Sequence, residues 1–162
     1  MEGLFARCAF NLGLLNEIEG ETQTAITAYK QAAKSFETVL GNSHPSYCQA
    51  LECLSNICKS EGMLKEASEN YQLLLPIKEE MSALGGSLGE ITSVQNNLAA
   101  IFVKLGDLNA AEAMYRKSIR IREHQFGHSH PSVARSLEML ANLCCEMGTL
   151  TDAAFLLQVC QS

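Results

Sequence analysis

Four stretches of the sequence carry the same pattern, and they decide the fold. They are NLGLLNEIEGETQTAITAYKQA (11–32), CLSNICKSEGMLKEASENYQLL (53–74), NLAAIFVKLGDLNAAEAMYRKS (97–118) and MLANLCCEMGTLTDAAFLLQVC (139–160). Three positions never change: a leucine (Leu12, Leu54, Leu98, Leu140), then a glycine (Gly20, Gly62, Gly106, Gly148), then an alanine (Ala25, Ala67, Ala111, Ala153). A tyrosine follows in the first three stretches, and Leu157 takes its place in the fourth. The glycines are 42, 44 and 42 residues apart, which indicates a repeat architecture.

The pattern of each repeat predicts two helices, A and B, that are joined by a turn at the glycine. Glycine ends helix A at little cost because it adopts the left-handed backbone conformation. Asp107, next to Gly106, is a typical N-cap for the helix that follows. The alanine must be small because helix B crosses helix A there at short range. We therefore predict an all-α protein with helices at about 3–18, 22–39, 45–61, 64–84, 90–105, 108–126, 131–147 and 150–161.

Pro76 interrupts the B helix predicted over 64–84. A proline inside a helix removes one backbone hydrogen bond and clashes with the carbonyl four residues back. We expect a kink at this residue or an early end of the helix near Leu75.

The pattern resembles the tetratricopeptide repeat over nearly the whole chain. The spacing is longer than the usual ~34 residues, and two joints between repeats, 41–45 and 127–131, read Gly-x-Ser-His-Pro. Both features are similar to the kinesin light chain and nephrocystin subgroup, although the middle joint at 85–89 has no His-Pro. The resemblance implies a right-handed superhelix, a solenoid of about four hairpins. It further implies a single array over 1–162 with repeats at about 2–44, 45–86, 87–130 and 131–162.

The resemblance also implies a peptide-binding groove along the A helices. In this family the groove columns lie five, two and one residues before the leucine and two, five and six residues after it. The candidate groove residues are Glu52, Asn56, Lys59, Asn96, Asn97, Lys104, Arg135, Glu138 and Asn142. An asparagine in such a row could bind a peptide backbone as both donor and acceptor, or it could simply be solvated. The first repeat is more apolar, with Phe10, Leu14 and Ile18, which fits either a pocket or a face that another helix covers.

Some tetratricopeptide domains hold the carboxylate of a chaperone tail with a five-residue clamp. Asn56, Asn97 and Arg135 fit that clamp, whereas Glu52 and Met139 stand where it needs a lysine and an arginine. A carboxylate about 4 Å from Glu52 would be repelled by about 1–4 kcal/mol. We therefore predict no useful binding of acidic chaperone tails, and expect instead an internal segment of mixed charge.

Composition excludes several other classes of protein. The net charge is −6, which disfavours nucleic acid as a partner. No apolar run reaches the ~18 residues of a membrane helix, and the first residues resemble neither a secretory nor a transit signal, so we expect a cytoplasmic protein. We see no phosphate-binding loop or catalytic nucleophile, and predict no enzyme activity and no cofactor.

The seven cysteines have no C-x-x-C pair and are read as reduced, mostly buried thiols. A zinc site would need His124, His128 and His130 with Cys144 and Cys145. Adjacent cysteines do not both face one tetrahedral ion easily, so we predict no metal.

The function that these features favour is a non-catalytic protein–protein interaction module that binds an extended peptide or a helical segment. The alternative is a permanent structural subunit of a larger transport, cytoskeletal or ciliary assembly. The helix predicted over 150–161 is apolar through Ala153, Ala154, Leu156, Leu157, Val159 and Cys160. A solenoid needs a polar helix over its last apolar face, so we also expect either a longer array or self-association through this helix.

Overall fold

The computed structural model describes residues 2–161, which form eight α-helices and no strand. The helices are α1 (Glu2–Glu19), α2 (Thr22–Leu40), α3 (Pro45–Ser60), α4 (Leu64–Ala83), α5 (Leu88–Leu105), α6 (Leu108–Phe126), α7 (Pro131–Glu146) and α8 (Leu150–Gln161). Each predicted helix is present, with its ends within two residues of those expected. They pair in chain order as four hairpins, so the all-α prediction is confirmed.

The chain divides into two compact units, Met1–Met81 and Ser82–Ser162. In the first unit, α2 packs against both α1 and α3. In the second, α6 packs against both α5 and α7, and α7 against α8. Each unit therefore holds two hairpins.

The turns follow the glycines as predicted. Gly20, Gly62, Gly106 and Gly148 all have φ between 77° and 82°, in the left-handed region where glycine carries no steric penalty. The Asp107 carboxylate accepts a hydrogen bond from the Ala110 backbone N–H at 3.1 Å, which confirms it as the N-cap of α6.

The two His-Pro joints start α3 and α7 in the same way. Pro45 and Pro131 occupy the first turn, where a missing N–H costs nothing. The preceding histidines are the N-caps: Nδ1 of His44 accepts from the Ser46 backbone N–H at 3.1 Å, and Nδ1 of His130 from Ser132 at 3.2 Å. The Gly-x-Ser-His-Pro joints are thus helix starts, in which the histidine is the cap and the proline lies in the first turn.

The repeat columns form the core. The four column alanines are buried, including Ala67 and Ala111 at 0% exposure, as close helix crossing requires. Leu54, Leu98 and Leu140 are buried as well, whereas Leu12 is 51% exposed. A further column of small residues follows the leucines on the A helices and is buried in every hairpin: Gly13, Ser55, Ala99 and Ala141.

At Gly13, α1 and α2 approach each other closely. A Cβ atom at this position would lie 2.6 Å from two ring carbons of Tyr29, less than atomic radii allow. Only glycine therefore fits between α1 and α2 at their observed distance.

The helix α4 runs through Pro76 to Ala83, so of the two expected alternatives, a kink or an early end near Leu75, the early end does not occur. Tertiary contacts beyond the proline explain this result. The thiol of Cys48 in α3 lies 3.9 Å from the sulfur of Met81, and Lys78 is buried. These contacts offset the one backbone hydrogen bond that proline removes. Within residues 2–161, no helix is long and apolar enough to span a bilayer.

Candidate functional site

In the first three hairpins, the residue two positions before the column leucine contacts helix B of its own hairpin. Glu52 Oε2 lies 3.7 Å from Nζ of Lys78, which is 8% exposed. In the amide orientation that satisfies both partners, Asn96 accepts from Arg122 at 3.0 Å. In the first hairpin Phe10 meets the ring of Phe36 edge-on, with centroids 6.5 Å apart. Glu52 and Asn96 thus link the two helices of a hairpin.

Arg122 is the centre of a polar network in the second compact unit. Its guanidinium donates to the Ser132 carbonyl at 3.2 Å, to the Ser136 hydroxyl and to the Thr92 hydroxyl at 3.4 Å. Burial lowers the pKa of Arg122, and the charge of Arg135 lowers it further. The network joins α5, α6 and α7 through neutral acceptors.

The column tyrosines reach the side chains of the A helices. The Tyr71 hydroxyl donates to Oδ1 of Asn56 at 2.5 Å, and the Tyr29 hydroxyl donates to Glu17 at 2.6 Å. Burial raises the pKa of both tyrosines, so both stay protonated as donors. The carbonyl of Asn56 is therefore already bonded within its hairpin, while its side chain remains at the surface.

A recess of about 180 Å³ lies among α5, α6 and α7, and we call it the second recess because it lies in the second compact unit. Its lining is Val103, Tyr115, Met139, Asn142, Leu143 and Glu146. Four of these belong to the predicted groove columns: Val103, Met139, Asn142 and Glu146. Burial, and then the nearby Glu146 carboxylate, raise the pKa of Tyr115. The recess therefore combines apolar side chains with an amide, a hydroxyl and a carboxylate.

The first recess, of about 150 Å³, lies among α1, α2 and α3. It is lined by Arg7, Phe10, Asn11, Phe36, Ser46 and Gln49. Arg7, Phe10, Asn11 and Gln49 are again groove-column residues. Each compact unit thus brings groove-column residues of two successive A helices together around one recess.

The other predicted groove residues are divided between half-buried and exposed positions. Lys59 and Asn97 are half-buried, whereas Lys104, Arg135 and Glu138 are exposed. In the first repeat Leu14 and Ile18 are exposed, so these two do not line an enclosed pocket with Phe10.

The cysteines and histidines do not assemble a metal centre in the described part of the chain, where no group of three potential ligands comes together. Nδ1 of His128 lies 3.1 Å from a Glu123 carboxylate oxygen, and His130 is an N-cap. Cys53, in a groove column, is half-buried, and burial together with Glu17 and Glu52 raises its pKa to about 11. Its thiol is therefore a poor nucleophile at neutral pH.

Residues 90–160 match the family model of the tetratricopeptide repeat. No curated protein matches the chain. Among solved structures, BtubC (BKLC) from P. vanneervenii aligns with a TM-score of 0.77 and 21% sequence identity. The alignment covers 98% of this chain and 62% of the BtubC chain. A kinesin light chain-like protein from Podospora anserina, with nearly identical TPR-like repeats, has a TM-score of 0.77 at 22% identity, over 98% and 74%.

The apo form of RapI also has a TM-score of 0.77, at 14% identity, over 96% of this chain and 41% of its own. The chain therefore spans less than two thirds of both BtubC and RapI. At these identities the likeness concerns the fold.

Proposed function

We propose that the chain, whose residues 90–160 match the tetratricopeptide repeat model, is a non-catalytic interaction module that binds a segment of a partner protein along its A helices. The observation that carries this proposal is the pair of recesses. Each recess is lined by four residues of the columns that the family pattern assigns to the groove. Side chains of a bound segment would enter the recesses, since concave sites with a few polar groups are where ligands bind.

The lining favours a segment of mixed character. Val103 and Met139, both half-buried, offer an apolar surface to a side chain such as leucine or methionine, next to the buried Leu143. Asn142 beside them can both donate to and accept from a peptide backbone. Glu146 favours a basic neighbouring residue, whereas Arg7 in the first recess favours an acidic one.

Selection from a displayed library of random peptides, with the purified chain as bait, tests the proposal. Selected peptides should lose about tenfold or more in affinity with Met139→Ala, Asn142→Ala or Gln49→Ala, because the lost contacts lie in the recesses. Lys117→Ala is the matched control, since Lys117 is exposed on α6 and lines neither recess. Peptides that bind all four variants equally, or no selected peptide at all, would contradict the proposal.

The second candidate function is a permanent structural subunit, and the exposed apolar side chains of α1 favour it. Leu4 and Phe5 are mostly in solvent, and such surfaces mark interfaces when they are contiguous. Recovery of the tagged chain from cells distinguishes the two functions. A fixed stoichiometry with the same partners after a high-salt wash indicates a subunit, whereas partners that wash off indicate a reversible module.

A further inference from the structure

The helix α1 exposes an apolar face that its counterparts bury. This outer face of α1 consists of Phe5, Cys8, Leu12 and Leu15; the three large side chains are 51–58% exposed, and Cys8 is exposed as well. The equivalent residues of α3, 42 positions later, are Tyr47, Ala50, Leu54 and Ile57, all at 7% or less. Those of α7 are Val133, Ser136, Leu140 and Leu143, all at 2% or less. The same column is therefore a buried interface in two other hairpins.

The structure shows what covers that column in both cases. Helix α2 packs against α3, and helix α6 against α7. Burial, and then the nearby Glu37 carboxylate of α2, raise the pKa of Tyr47. The Ser136 hydroxyl accepts a hydrogen bond from Arg122 of α6. In both hairpins the helix that covers this column is the B helix of the preceding hairpin. The outer face of α1 therefore corresponds to a surface that binds a B helix elsewhere in the chain.

Helix α8 is a B helix whose corresponding side is open. In α2, Ile26 is buried on the side that also carries Glu37, toward α3. Its counterpart in α8, 128 positions later, is Ala154, which is exposed, and the nearby Leu157 is 41% exposed. The side chains of Val159 and Cys160, which the sequence analysis included in this apolar helix, lie outside the described residues.

Charge also favours α8 as the occupant. Asp152 is the only charged residue in 150–161, whereas α2 carries Lys30, Lys34 and Glu37. Burying α8 therefore desolvates almost no charge, which would otherwise oppose association. Next to the outer face of α1, Phe5 and Val39 line a recess of about 280 Å³ together with the polar residues Lys34, Ser35 and Thr38.

We propose that the outer face of α1 binds helix α8 of a second copy of the chain, so that α8 takes the position that α2 holds beside α3. The contact joins two different surfaces, and each copy keeps one of them free. Such a head-to-tail contact closes into a ring where the rotation between copies allows it and otherwise extends into chains of copies that grow with concentration. This inference is independent of the proposed groove.

Sedimentation velocity of the whole chain over a range of concentrations tests the proposal. The wild-type mass should rise from the 17.7 kDa monomer through a ladder of oligomers. Leu12→Glu, on the outer face of α1, and Ala154→Glu, on α8, should each remain monomeric. Gln31→Glu makes the same change of charge at an exposed site of α2 and should keep the ladder.

Mixing the two monomeric variants gives the decisive result. Leu12→Glu retains an intact α8 and Ala154→Glu an intact α1, so together they should form one contact and stop at a 1:1 dimer. Leu15→Lys should behave as Leu12→Glu does, which separates loss of apolar contact from repulsion between negative charges. Circular dichroism verifies that each variant keeps its helices.

Three results would overturn the proposal. One is a wild-type chain that stays monomeric at every concentration. Another is a dimer that Ala154→Glu leaves intact, which indicates contact between two α1 helices. The last is a mixture of the two folded variants that remains monomeric.

Discussion

Replacing Gly13 with alanine tests the packing of α1 against α2. The new methyl group would lie 2.6 Å from Cδ1 and Cε1 of Tyr29. The ring cannot move freely, because it is buried and its hydroxyl is bonded to Glu17 at 2.6 Å. Either the hydrogen bond or the helix position must change, and overpacking of this kind costs about 1–3 kcal/mol.

A second effect has the opposite sign. Alanine favours a helix by about 1 kcal/mol over glycine, so the free energy of unfolding of Gly13→Ala should fall by about 0–2 kcal/mol in total. Gly3→Ala isolates the second effect in the same helix, because its methyl group would meet only Val39 Cγ1, at 3.9 Å. Gly13→Ala should therefore be about 1–3 kcal/mol less stable than Gly3→Ala.

Urea unfolding followed by circular dichroism measures this difference, and amide hydrogen exchange in α1 and α2 locates it. Equal stability of the two variants would refute the reasoning. It would mean that α1 moves away from α2 far enough to accommodate the methyl group at no cost in stability.

Three further substitutions test other contacts. His44→Ala should lower the free energy of unfolding by about 0.5–2 kcal/mol through loss of the N-cap, and His44→Asn should restore it; His128→Ala, exposed and not a cap, should change it by less than about 0.5 kcal/mol in the same urea titration. Arg122→Ala should cost about 1–3 kcal/mol because its buried acceptors lose their donor, and Arg122→Lys should not restore stability because an ammonium lacks the planar fork of donors. The pKa of Cys53 is about 11 in the folded chain and lower in the unfolded chain, so the stability that this difference contributes is present below pH 9 and is lost as the pH rises to 11. The variant Cys53→Ala should reduce that loss, whereas Cys8→Ala, at an exposed cysteine, should not.

The helices and turns were predictable because backbone geometry alone dictates the residues that mark them. A left-handed turn requires glycine, and a close crossing requires alanine, so Gly106 and Ala111 identify both features without knowledge of any partner. The effect of Pro76 was harder to predict, because contacts of Lys78 and Met81 determine whether the helix continues beyond it.

The orientation of the polar groove residues depends on side chains that reach across from helix B. Asn56 and Asn96 follow the family pattern, yet Tyr71 and Arg122 already bind them. One signal could have revealed part of this arrangement. Glu52 and Lys78 are 26 residues apart, and so are Asn96 and Arg122, with complementary chemistry in each pair. The caps at His44 and His130 were missed because imidazole is not among the usual N-cap side chains.

The pairs at this separation give each hairpin its own identity. Helices with the same leucine, glycine and alanine columns could exchange partners during folding, since those columns fit any of them. If α1 paired with α4, however, the ring of Phe10 would face the buried ammonium of Lys78, which would then lose the Glu52 carboxylate. Burying a charge away from its counterion is costly, so the mismatched hairpin is less stable than the native one. The pairs Phe10–Phe36, Glu52–Lys78 and Asn96–Arg122 thus differ in chemistry, and this difference disfavours the exchange of helices between hairpins that share the same small and apolar columns.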